Sequence, residues 1–329
     1  MVLERQAQVA TRPLVHRDLP DPAPGPNEIL VRVAACGVCR TDLHVVEGDL
    51  QLHRTPVVPG HQVVGRVAAR GTGAVRFREG DRVGIAWLRH TCGRCAYCRE
   101  GRENLCESSR YTGWDADGGY ADLAVVDEAF AYPIPDAFTD TEAAPLLCAG
   151  IIGYRALRRS RLEPGQALGL FGFGSSAHIV AQIARHRGCD VYVATRDPSH
   201  RRLAEEIGVT WTGDTFDPVP APLDAAIVFA PAGEVVPPAL RALRKGGTVA
   251  VAGIHLTDIP PLVYDLCLFQ EKTLTSVTSN TRADGEELLR DAARIPLRPR
   301  VTTFRLSEAN DALLALARDG IRGTAVLVP

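Results

Sequence analysis

Cys39 and His61 offer a thiolate and an imidazole, a donor pair suited to a borderline cation such as zinc. Around them stand Cys36, Arg40, Thr41, Asp42 and His44, followed by Pro59, Gly60 and Gln62. Thiols, imidazoles, a carboxylate and a hydroxyl thus fall within one short segment. Two ligands do not complete a zinc sphere, so a third must come from far along the chain. Cys148, in Pro145-Leu-Leu-Cys-Ala-Gly150, draws attention only through that demand. A lone cysteine at such a glycine-flanked boundary otherwise reads as a small buried hydrophobe.

A second group of thiols is denser. Cys92, Cys95, Cys98 and Cys106 follow the spacing C-x2-C-x2-C-x7-C. Four thiolates surround Zn²⁺ tetrahedrally at about 2.3 Å and leave no open position, so such a site is structural. It staples a lobe with little apolar content of its own. Iron–sulfur clusters and nucleic-acid-binding zinc ribbons use similar spacings, but the acidic charge balance argues against the ribbon.

The third constellation is Gly172-Phe-Gly174-Ser-Ser-Ala177. It follows the short apolar run Ala167–Phe171 and opens a helix with Ala177, Val180, Ala181 and Ala184 on one face. The first glycine makes a tight turn, the second admits a pyrophosphate close to the backbone, and the small third residue lets helix pack on strand. The helix N-terminus offers unpaired N–H groups to the phosphates. Thr195-Arg196 ends the next strand, where an acidic residue would accept the ribose 2′-OH of NAD. A hydroxyl and a cation there suit the 2′-phosphate of NADP(H), so NADP(H) is expected over NAD(H). Asp197 precedes Pro198 and suits a helix N-cap better than a ribose.

These groups need elements to position them. From Glu28 to Ala35 apolar residues alternate well enough for a strand, and Gln62–Ala69 is β-rich between glycine turns. The first part is therefore mainly β. From Arg161 onward strands alternate with helices, as in a parallel doubly wound sheet. Val191–Ala194, Ala225–Phe229 and Thr248–Val251 read as its buried strands, with a helix around Val235–Leu243 and Gly208 as a helix stop. Ser307 is expected to cap a last helix reaching Arg318, and Ala325–Val328 to form a terminal strand.

The chain has 329 residues, a net charge of −2 and 46% hydrophobic residues, enough for two domains with a core in each. There is no basic footprint for nucleic acid and no apolar run of membrane-spanning length. The N-terminus lacks a secretory pattern, so a cytoplasmic protein is expected.

Together, Cys36-Gly-Val-Cys39-Arg-Thr41-Asp42-Leu-His44, Gly60-His61, Gly65, the four-cysteine loop and Leu147-Cys148-Ala-Gly150 resemble the zinc-dependent alcohol dehydrogenases of the medium-chain dehydrogenase/reductase family. The resemblance runs over essentially the whole chain, and the Gly-Phe-Gly-Ser-Ser-Ala-His run is most similar to a bacterial branch related to cinnamyl alcohol dehydrogenases. It implies a Rossmann dinucleotide-binding domain over 150–277, and a mainly β, GroES-like catalytic domain from 1–149 and 278–329 with the zinc lobe near 92–106. It also implies one catalytic zinc on Cys39, His61 and Cys148 beside the structural one. Thr41 would touch the substrate oxygen, and His44 would end a proton relay. Asp42 would orient His61, and Arg40 would reach the pyrophosphate. Trp87, Leu50 and Ile254 lie near segments that line the pocket in relatives. Many relatives carry Glu where this chain has Gln62, and a neutral amide is a poor substitute for a carboxylate that approaches the metal. The implied activity is hydride transfer between NADP(H) and a primary alcohol or aldehyde. Reduction of a conjugated alkene or imine on the same scaffold is the alternative, and a zinc-ribbon binding or redox-sensing protein is further off. Relatives pair through the edge strand of the nucleotide domain, here Glu271–Val277, so a homodimer or homotetramer is expected.

Overall fold

The structure is a computed structural model that describes residues 1–329. The chain forms two compact units. The first comprises Met1–Cys148, Ser279–Ala293 and Pro299–Pro329, and the second Ala149–Thr278 with Arg294–Arg298. No helix is long and apolar enough to cross a membrane.

The first unit is built on a seven-stranded sheet. Its long central strand, Glu28–Val38, turns Ile29, Val31 and Val33 inward while Glu28, Leu30 and Arg32 stay at least partly accessible. That alternation is the two-residue period of a pleated strand with one buried face. Antiparallel neighbours are Gln62–Arg70 on one side, and Leu123–Asp127 and Thr324–Val328 on the other. The pairing sets Gly37 opposite Gln62, so the ends of these two strands deliver Cys39 and His61 side by side.

Cys39 stops the central strand and begins the Arg40–Glu47 helix. Its sulfur accepts from the Thr41 N–H, and its own N–H is held by the Asp42 carboxylate, a reciprocal cap. Gly48 ends the helix in the left-handed region. A different start from the expected one governs the last helix. Ser307 lies inside a 3₁₀ turn, Leu306–Glu308, in which the Glu308 carboxylate accepts from the Arg305 N–H. The α-helix proper is Ala309–Ala317. The N-cap position is taken by Glu308, which makes no side-chain cap hydrogen bond, so Ser307 does not cap the helix.

The second unit holds a six-stranded parallel sheet. Its spatial order is Trp211–Gly213, Asp190–Ala194, Ala167–Phe171, Leu223–Val228, Leu243–Val251, Thr273–Ser276. Counted along the chain this is 3-2-1-4-5-6, the doubly wound order whose switch point lies beside the first strand. Leu168, Leu170, Val191, Val193, Ile227 and Val249 are all sealed from water, as strands covered on both faces require. Asp197 caps the Pro198–Ile207 helix by accepting from the Ser199 N–H at 2.6 Å, and Gly208 closes it with φ +81°.

Candidate active site and metal centres

In the first unit, Cys39, His61 and Cys148 bring one ligand atom each to within 4.8 Å of one another. Cys39 Sγ lies 3.2 Å from His61 Nε2. The other ring nitrogen, Nδ1, is bound to Asp42 Oδ1 at 3.0 Å, which leaves Nε2 for the sulfur side. Asp42 Oδ2 accepts from the Cys39 N–H at 2.9 Å, so one carboxylate fixes both neighbours.

Three protons compete here. Burial opposes ionisation of Cys39, but a hydrogen bond from Cys148 and the charge of His61 outweigh it and hold the thiol well below its usual range. The bond to Cys39, followed by burial, pushes Cys148 up. Burial lowers His61, yet Asp42 and Cys39 overcome it and raise the imidazole to about 10. The pocket is thus set to exchange its protons for a cation. Two thiolates and a neutral imidazole cancel the charge of Zn²⁺ and leave a fourth position open, so the donor set fits a catalytic zinc.

Thr41 is 8% exposed and presents its N–H to Cys39 Sγ at 3.3 Å. His44 meets Asp49, with Nδ1 to Oδ2 at 2.7 Å. Arg40, expected at a pyrophosphate, pairs with Asp319 of its own unit. Trp87 packs edge-on to His61 with centroids 4.9 Å apart, and stacks on Tyr111 and Trp114. Leu50 packs half-buried on the core, while Ile254 belongs to the second unit and is exposed. Gln62 is fully buried, with neither its Oε1 nor its Nε2 hydrogen-bonded.

The four-cysteine group also closes on itself, with Cys95 Sγ and Cys98 Sγ 3.5 Å apart and Cys92 Sγ 3.9 Å from Cys98 Sγ. Backbone N–H groups of Cys92 and Cys95 point at Cys106 and Cys92 sulfurs. Backbone donors at Arg94 and Cys95 pull Cys92 down to about 6, favouring the thiolate that a metal binds. The helical turn Ala96–Arg99 has no buried residue to hold it, and the four converging thiols fit a structural zinc. Glu103 anchors it by accepting from Arg282 through the backbone N–H, Nε and Nη2.

In the second unit the Ala167–Phe171 strand ends on Gly172, whose φ of +90° and closeness to Ala230 N exclude a side chain. Gly174 stands at the N-cap of the Ser175–His186 helix with no side-chain cap and open space around its Cα. Ala177 is fully buried. These features fit a dinucleotide pyrophosphate at a helix N-terminus. Thr195 is 4% exposed and Arg196 exposed, while Asp197 is engaged as the helix cap. Arg201 donates to the Thr195 carbonyl at 2.8 Å and to Asp214 at 3.2 Å, a contact that sequence alone does not announce.

Tyr120 is the other residue that sequence reading misses. Its ring lies against Gly60, where a Cβ would sit 2.3 Å from Cδ1, and so it braces the residue before His61. The signal was Gly118-Gly119, a glycine pair marking close backbone approach.

Residues 25–136 match the family model described as alcohol dehydrogenase GroES-like domain, and 177–294 the one described as zinc-binding dehydrogenase. The chain is 54% identical to "Probable alcohol dehydrogenase AdhA" of Mycobacterium tuberculosis, over 99% of this chain and 96% of that one. A cinnamyl alcohol dehydrogenase from Sorghum bicolor superposes with a TM-score of 0.90 at 29% identity, covering 98% of this chain and 96% of the other. A protein of Sinorhizobium meliloti 1021 solved bound to NADP gives 0.84 at 28% identity, covering 95% of each.

Proposed function

Because this chain belongs to the zinc-dependent alcohol dehydrogenases of the medium-chain dehydrogenase/reductase family, and so is an NAD(P)-dependent alcohol oxidoreductase, we propose that it uses NADP(H) to interconvert a primary alcohol and its aldehyde. The convergence of Cys39, His61 and Cys148 carries the reading, because two thiolates and an imidazole match the charge of Zn²⁺ and leave one position free for substrate.

Zinc held by Cys39, His61 and Cys148 would supply Lewis acidity that makes an alcohol proton easier to remove, and a bound nicotinamide would supply the hydride chemistry. The chain's own residues do the rest. Asp42 keeps the His61 ring turned toward the metal. Thr41, whose N–H meets Cys39 Sγ, would accept the proton of the substrate hydroxyl while giving up its own, and His44 would pass a proton outward toward water. Trp87 packs edge-on against the His61 ring and helps keep it from water. Cys92, Cys95, Cys98 and Cys106 hold a second zinc that shapes the lobe and takes no part in the chemistry.

Gly172, Gly174 and Ala177 bind the pyrophosphate, and Thr195 with Arg196 faces the adenosine 2′-phosphate. Support for NADP(H) comes from the absence of an acidic side chain at Thr195, from the use of Asp197 as a cap, and from the NADP-bound Sinorhizobium relative. Arg40 would join the pyrophosphate only by leaving Asp319. Self-association is proposed at the outer strand Thr273–Ser276, where Val263, Tyr264, Leu266 and Phe269 expose apolar surface nearby. All nine cysteines are unbridged, which suits a reducing, cytoplasmic setting.

The test is nicotinamide absorbance with NADPH and with NADH against a panel of aldehydes. Oxidation of NADPH in preference to NADH is expected. Equal or reversed preference would overturn the coenzyme reading, and turnover only with conjugated alkenes or imines would overturn the substrate class.

A further inference from the structure

His44 sits in the last turn of the Arg40–Glu47 helix, and the chain turns back on it immediately. Its carbonyl accepts from both the Gly48 and the Leu50 N–H at 3.1 Å. Gly48, at φ +99°, makes that reversal possible. The turn is pinned from outside: Gln51 Nε2 donates to the Gly48 carbonyl, and Gln6 Nε2 to those of Val45 and Leu50, all at 2.7 Å. Backbone geometry therefore sets the place of Asp49, whose Oδ2 lies 2.7 Å from His44 Nδ1.

The two partners differ in their access to water. The His44 side chain is 13% exposed and that of Asp49 46%. An ionised carboxylate only accepts, so the shared proton belongs to Nδ1 and the lone pair to Nε2. The inner pair, His61 and Asp42, has the same arrangement at 3.0 Å but is sealed from solvent.

We propose that Asp49 is a positioning residue for proton exit. It fixes the His44 tautomer so that Nε2 is the accepting nitrogen, and its charge offsets the imidazolium formed when a proton arrives. The step balances without a co-reactant. The O–H bond of the incoming donor breaks as the Nε2–H bond forms, the Nε2–H bond then breaks as its proton passes to water or buffer, and the neutral Nδ1–H ring returns. A surface ion pair serving only the helix end would do none of this. The inference rests on the proposed alcohol oxidation and names a further residue for it.

The experiment compares the full-length, zinc-loaded enzyme with Asp49→Asn, Asp49→Ala, His44→Gln and the His44→Gln/Asp49→Asn double variant. Alcohol oxidation is measured in dilute buffer and with added imidazole. Zinc content and thermal midpoint are measured alongside. Asp49→Asn should lower kcat by about tenfold or more in dilute buffer, with KM for coenzyme nearly unchanged. Added imidazole should restore most of it, because a diffusible base replaces the oriented one. The double variant should be no slower than His44→Gln. An Asp49→Asn enzyme as fast as wild type in dilute buffer, or one whose loss imidazole does not restore, overturns the inference alone. A wild-type enzyme that oxidises no alcohol overturns the parent reading.

Discussion

Asp42 Oδ1 binds His61 Nδ1 at 3.0 Å in a place where the two side chains are 2% and 0% exposed. The same carboxylate caps the Arg40–Glu47 helix through the Cys39 N–H. Helix start and metal site are therefore one structure, and a change at Asp42 acts on both.

Replacing Asp42 with Asn keeps the shape but gives up the charge that orients His61. Zinc affinity of the three-donor site should fall by about 10- to 100-fold, read by competition with a chromophoric chelator. The four-cysteine site should keep its metal. Unaltered release of both ions would show that Asp42 serves only as a helix cap.

Gly60 and Gly174 should separate stability from coenzyme binding. A Cβ at Gly60 would meet the Tyr120 ring at 2.3 Å, and φ there is +95°. Gly60→Ala should cost about 3 kcal/mol or more in urea denaturation, from strain and overpacking together. Gly174 has nothing within 4 Å. Gly174→Ala should leave the midpoint in place and weaken coenzyme binding, because its methyl would occupy the phosphate's approach. Equal effects of the two changes on stability would contradict this.

Glu103 gives a pH signature. Burial pushes its carboxyl up, but the hydrogen bonds and charge of Arg282 prevail and hold it below the usual range. A depressed folded value means the stabilisation is fully present above the unfolded value, about 4.3, and is lost as pH falls through the folded one. Urea midpoints should drop between about pH 5 and pH 3, and Glu103→Gln should flatten that limb while costing about 1–3 kcal/mol at neutral pH. Parallel curves for the two proteins would remove the link.

Arg196→Ala should raise KM for NADPH by about tenfold or more and leave NADH nearly untouched, as expected when one charge-assisted contact to a phosphate is removed. Equal shifts for both coenzymes would place the 2′-phosphate elsewhere, with Arg201 the next residue to test.

Local chemistry was the legible part of this chain. Asp197-Pro198 and Gly208 announce a helix and its ends, because capping depends on adjacent residues. The alternation of apolar strands and helices announces a doubly wound sheet, and the thiol spacing announces a metal loop. What depends on distant partners was not legible. Strand order 3-2-1-4-5-6 comes from packing, not from any one segment. Tyr120 gains its place from Gly60, and Arg201 from Thr195 and Asp214. Ser307 misled because the chain enters its last helix through a 3₁₀ turn, Leu306–Glu308, which places the serine inside the turn rather than at the helix start. Cys148 taken alone reads as a small buried hydrophobe, and only the need for a third donor and the resemblance carried by Leu147-Cys148-Ala-Gly150 pointed to it.

Metal analysis of the wild type and of Cys148→Ser tests the three-donor site most directly. About two zinc ions per chain are expected in the wild type, and about one in the variant, retained by Cys92, Cys95, Cys98 and Cys106. A wild type with one zinc, or a folded Cys148→Ser protein that keeps both ions as tightly as the wild type, would contradict it.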